Sequence, residues 1–210
     1  MPISFSQMPY PLFCEAKLFP DDSPPVDGTN LLIDHYVRET FSHQEDMMTA
    51  QELKTPTDLK SNATKSVADA LNGVLADSYA LYFKTKNFHW HVSGPHFRDY
   101  HLMFDDQATQ ILGTTDLIAE RIRKTGNVTL RSIGDISRHQ SITDNDADYV
   151  SPDDMLAELR QDNLALVESL RAAKAAATEA GDNATEGIVD DWTDQAEERA
   201  WFLFEASRKG

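Results

Sequence analysis

Apolar or small residues at Val67, Leu71, Val74, Ser78, Leu81, Thr85 and Phe88 step alternately by four and three. That spacing puts one stripe of an α-helix against a core, and it predicts a first helix from about residue 62. Ser93-Gly94-Pro95 breaks it. A second seam follows at Phe97, His101, Phe104, Ala108, Ile111, Thr115, Ile118 and Ile122, closed by Gly126 just past the helix end. A short helix is expected near 133–138, then an acidic turn. Ser151-Pro152-Asp153-Asp154 starts a third long helix, with serine as N-cap, proline at the first helical position and acids in the first turn. Its seam is Leu156, Leu159, Asn163, Leu166, Leu170, Ala173 and Ala177. After the Gly181-Asp182-Asn183 turn, a fourth helix over about 184–207 carries Ile188, Trp192, Ala196 and Leu203 with the aromatics Trp201, Phe202 and Phe204. No segment alternates with the period of a strand.

Four amphipathic helices make an all-α four-helix bundle. About 25 residues join the second and third, enough for a crossover running along the bundle in place of a hairpin. Residues 1–60 break this pattern. Six of the nine prolines fall in the first 25 positions, and proline removes backbone donors. We expect an irregular or disordered extension over 1–60, with one short helix at 30–41, and a bundle domain over 61–210. Met47 and Met48 immediately precede the regular part, so translation is also expected to be able to start there.

The net charge of −16 disfavours nucleic acid and anionic lipid and favours cations. A single cysteine, Cys14, excludes an internal disulfide framework and a cysteine-based zinc site. No apolar run is long enough to span a bilayer, and no basic-then-apolar leader opens the chain. The expected setting is the cytoplasm.

Four of the seven histidines crowd into KTKNFHWHVSGPHFRDYHLMFDD, residues 84–106. The residues three before each histidine of the chain are Leu32, Thr40, Lys86, Phe88, Ser93, Arg98 and Ile136. No Glu-x-x-His is present, which argues against a carboxylate di-iron centre inside the bundle. The second helix offers another set. At 100° per residue, with His101 at zero, Asp105 falls at about 40°, Asp116 at about 60° and Glu120 at about 100°. His89 lies just across the turn. Imidazoles with carboxylates suit Fe(II), Zn(II) or Mn(II). Yet Asp116 is about 22 Å from His101 along the axis, against ligand bonds of about 2 Å. One metal cannot reach both groups in one chain. They cooperate only if a two-fold axis pairs two copies of the helix antiparallel. The plain alternatives are a histidine satisfied within its seam and a solvated acidic helix face. His91 and His96 read as bystanders, Asp99 and Asp106 as surface charges.

The stretch from LNGVLADSYALYF to DLIAERIRKTG resembles the Dps family, the mini-ferritins named as DNA-binding proteins from starved cells. It carries His89-Trp90, then His101, Asp105 and an Asp-x-x-x-Glu-Arg at Asp116, Glu120 and Arg121, at the family's spacing. The likeness covers about 60–207. It implies a ferritin-like bundle with the long crossover, assembled as a dodecameric cage. It implies ferroxidase sites between subunits, with His89, His101 and Asp105 from one chain and Asp116 and Glu120 from the other. It further implies oxidation of Fe(II) to Fe(III) by hydrogen peroxide or dioxygen, ferric storage and protection against oxidative stress, with Trp90 intercepting radicals beside the site. Packing is the alternative role for Trp90.

This chain departs from the family pattern in several places. The final helix has Ala196 and Glu197 where the family often has a His-Glu pair. The region before the first helix offers only Lys54, Lys60 and Lys65, and the chain ends at Arg208-Lys209, so DNA binding is expected to be weak. Asp182, Glu186 and Asp190 step by four, as a three-fold pore lining or as ordinary first-turn acids. The rival to an iron-oxidising cage is a nucleoid-associated or structural one whose sites bind metal without turnover.

Overall fold

The computed structural model describes residues 54–208. The expected helix at 30–41, the alternative start at Met47 or Met48 and most of the extension lie outside them. Five helices follow in order: α1 (Ser61–His91), α2 (Phe97–Lys124), α3 (Ile133–His139), α4 (Pro152–Ala180) and α5 (Asn183–Ala206). No strand occurs among the described residues, and none of their helices is long and apolar enough to cross a membrane.

The seams read from spacing are the core. Val67, Leu71, Val74, Leu81 and Phe88 of α1 are buried against Phe104, Ile111, Ile118 and Ile122 of α2. Leu156, Leu159, Leu166 and Leu170 of α4 and Val189, Trp192 and Leu203 of α5 complete it. α1 packs on α2 and α4, and α4 on α5. On α5, Val189 takes the core place expected of the half-buried Ile188, and Trp201, Phe202 and Phe204 are exposed; on α2 the apolar exception is Phe97, 46% exposed. It is the first residue of α2, beyond the bundle's end, and its ring lies against His101 instead, centroids 5.1 Å apart.

The termini behave as their residues dictate. Ser151 Oγ accepts from Asp154 N at 3.2 Å, with Pro152 at the first position. Gly181 ends α4 at φ 70. Gly126 follows α2 at φ 84, and a Cβ there would meet Thr55 O at 2.7 Å. Both the left-handed backbone and the close approach require glycine.

Hydrogen bonds trace the crossover along α1 from its first turn to its last. Asn127 Nδ2 donates to Thr64 O, Asn72 Nδ2 to Val128 O, Ser141 N to Asp77 Oδ1 and Asn87 Nδ2 to Asn145 O. Near the far end, Lys84 of α1 pairs with Glu158 and Asp162 at the start of α4. α4 therefore runs antiparallel to α1 and parallel to α2. This is the long-crossover arrangement.

Candidate metal centre

His89, in the last turn of α1, and His101, in the second turn of α2, meet across the Ser93–Pro95 turn, where Gly94 takes φ 103. They hold each other in a reciprocal clasp. His89 Nδ1 donates to His101 O at 2.7 Å, and His101 Nδ1 donates to His89 O at 2.9 Å. The rings stack with centroids 3.8 Å apart. A carbonyl only accepts, so each neutral ring carries its proton on Nδ1 and keeps the Nε2 lone pair free. A histidine that binds metal through Nε2 needs that tautomer, with the Nδ1 hydrogen bond fixing the ring.

Asp105 lies one turn beyond His101, half-exposed, and accepts from Lys86 Nζ at 2.6 Å. The Lys86 hydrogen bond holds its carboxyl below the usual aspartate range, against desolvation and with help from the charges of Lys86, His89 and His101. The pair's contribution is therefore full above the ordinary aspartate range and lost as pH falls through the lowered value. Lys86→Gln is expected to return the Asp105 carboxyl upward toward the ordinary range, read by NMR titration. An unmoved titration would show that Lys86 does not set this charge.

Lys86 is the participant that motif spacing missed. It sits one turn before His89 on the same face of α1, and that register was the available signal. Its ammonium lies 5.9 Å from the Trp90 ring centroid. Trp90 is 56% exposed and meets Phe83 edge-on at 6.0 Å. His91 Nδ1 donates to Asn87 O, and His96 sits against Tyr100; both are exposed.

Asp116 and Glu120 are exposed further along α2, and Glu120 pairs with Lys124 at 3.0 Å. The fold thus brings His89, His101 and Asp105 to one end of a face and leaves Asp116 and Glu120 at the other. No group of three or more metal-ligating side chains closes into a site among the described residues of one chain.

The next residue, Arg121, donates to Asp182 Oδ1 at 2.5 Å and to Thr185 Oγ1 at 2.8 Å, tying this end of α2 to the start of α5. Asp182 is the α5 N-cap and is buried. Its carboxyl falls below the usual range: burial works to raise it, but the bonds from Arg121 and Thr185 outweigh burial. Of the three stepped acids, Asp182 is therefore held inside the fold. Asp190 is paired with Lys174.

Against known proteins, a ferritin-like domain model matches residues 68–209. A DNA protection during starvation protein of Brevibacillus brevis is 31% identical over 145 residues, covering 69% of this chain and 97% of that one. An uncharacterized low temperature-induced protein of Nostoc is 32% identical over 146 residues, covering 69% and 82%. Among solved structures, a Dps protein from Bacillus brevis superposes with a TM-score of 0.68 at 30% identity, covering 71% of this chain and all of that one.

Proposed function

Since this chain belongs to the Dps family of ferritin-like proteins, we propose that it oxidises Fe(II) at sites completed between two copies and stores the ferric product in a closed, dodecameric cage. The observation that carries the reading is the His89–His101 clasp. It fixes two imidazoles with free Nε2 atoms beside Asp105, on a face whose other carboxylates are out of reach in the same chain.

The same two helices offer what would bring the mate. Phe83 and Trp90 of α1 and Leu102, Leu112 and Leu117 of α2 are all exposed, apolar surface of the kind that marks association. An antiparallel two-fold pairing of α2 would set Asp116 and Glu120 of one chain opposite His89, His101 and Asp105 of the other, twice per dimer. Iron is the substrate. Carboxylates and neutral imidazoles are borderline-to-hard ligands suited to holding Fe(II) and, still more, the harder Fe(III). Two Fe(II) give one electron each, the O–O bond of hydrogen peroxide breaks, and two hydroxides form. Removing peroxide and Fe(II) together suppresses hydroxyl radical, hence protection against oxidative stress. Trp90, exposed and 5.9 Å from the Lys86 ammonium, is the residue we assign to intercept an escaping oxidant. Dioxygen is the other oxidant compatible with the site.

The test is ferric absorbance after adding Fe(II) and peroxide without air. We expect a rise well above the buffer control, and no rise would overturn the reading. The rival, a cage that compacts DNA, runs against the net charge of −16 per chain. We expect no gel shift of duplex DNA at physiological salt. A tight, salt-sensitive shift would reverse that expectation.

A further inference from the structure

A cavity of about 470 Å³ opens between α2 and α5, away from the histidine clasp. Its inner wall carries Gln107, Gln110 and Arg199, and its rim carries Asp99, Asp106 and Glu198. Arg199 is 4% exposed. Its Nε donates to Asn163 Oδ1 at 2.7 Å and its Nη1 to Gln110 Oε1 at 2.8 Å, both neutral acceptors. Lys84, equally buried, has two carboxylates, and Arg121 has Asp182. Arg199 alone of these three pairs with no carboxylate among the described residues. A buried charge without a counter-charge is costly. Burial accordingly pushes the guanidinium down to about 10, with Glu198 opposing.

Two groups on this wall lack partners. Arg199 Nη2 donates to nothing among the described residues, and Arg199 lines the cavity. Gln107 Oε1 is the one buried side-chain polar atom there with no partner. The wall therefore offers a cationic donor, the partnerless Gln107 Oε1 is itself buried, and the rim offers three exposed carboxylates. A simple anion would meet the rim's repulsion on entry, and a simple cation would meet Arg199 at the wall. A molecule with both charges answers both ends.

We propose that this cavity binds a small amphoteric molecule of the amino-acid class, with its carboxylate on Arg199 Nη2 and its ammonium toward Asp106 and Glu198. Repositioning of the Gln107 amide lets Oε1 accept from the same ammonium.

The test is calorimetric titration of the full-length, assembled protein with glycine, β-alanine and γ-aminobutyrate, using acetate and methylammonium as single-charge controls. We expect saturable binding of at least one zwitterion, with each control roughly tenfold weaker or worse, the loss of one charge-assisted contact. Arg199→Met should abolish binding. The doubly exposed change Asp106→Asn with Glu198→Gln should weaken it roughly tenfold without unfolding, and it decides the matter if Arg199→Met does not fold. No saturable binding of any zwitterion overturns the proposal, as does acetate binding as tightly as the zwitterion. Unchanged binding in the double variant overturns it too. Fe(II) oxidation measured on the wild-type protein stands apart from every one of these outcomes.

Discussion

Subunits carrying Asp116→Asn with Glu120→Gln, and separate subunits carrying His89→Ala with His101→Ala, are each expected to be inactive alone. Co-assembled in equal amounts, they are expected to regain about one quarter of wild-type Fe(II) oxidation. The reasoning is geometric. Asp116 lies about 22 Å along α2 from His101, so a site using both draws on two chains. In a mixed dimer one site receives its histidines and its far carboxylates from wild-type halves, while the other receives neither. Random mixing makes about half the dimers mixed, each with one working site of two. Each parent alone should fall at least about 100-fold, because whole ligands are removed and not merely their supports. The measurement is the initial rate of ferric absorbance with peroxide, on co-expressed or co-refolded subunits. No recovery on mixing sinks the inter-subunit site while leaving a one-chain site open. Asp116 and Glu120 are exposed, so the melting temperature should barely move, and inactivity there cannot be assigned to unfolding.

The helices, and the end of the candidate face that brings His101 and Asp105 together, were legible because both rest on periodicity. Apolar steps of three and four mark a buried stripe whatever its partners, and every aliphatic position read on the first three seams is buried. Phe97 was misread because the period persists into a first turn that the bundle no longer covers. The candidate ligand face was visible in the angular register of α2, and His89 in its place just across the Ser93–Pro95 turn. Buried charged groups were illegible. Nothing in local spacing shows that Asp77, Lys84 and Arg199 lie inside, since their partners are 36 to 92 residues away. Asp182 looked like one of three stepped acids, yet its position at the turn makes it a cap, and Arg121 draws it inward. Lys86 fell between the two: its register was readable, but its pairing depends on how α1 and α2 cross.

Asp77 shows how much one such group carries. Its Oδ1 accepts from Ser141 N at 2.6 Å and Ile142 N at 3.2 Å, and its Oδ2 from the hydroxyls of Ser141 at 2.8 Å and Ser169 at 3.4 Å. These bonds fasten the crossover to the middle of α1 and touch α4. Asp77→Ala strands two backbone N–H groups and leaves a void, and we expect it to cost about 3–5 kcal/mol, a large share of a domain's usual stability. Asp77→Asn is the informative companion. Its oxygen can keep both backbone donors, while its NH₂ faces hydroxyls that rotate to accept. We expect a loss of only about 1–2 kcal/mol. Urea unfolding of the two variants checks the order, and amide exchange at Ser141 and Ile142 checks the place. Protection there should fall in Asp77→Ala and largely survive in Asp77→Asn. If both variants unfold within about 0.5 kcal/mol of the parent, the crossover is held by its apolar contacts, Ile142 and Leu130 against the core, and the carboxylate is incidental to it.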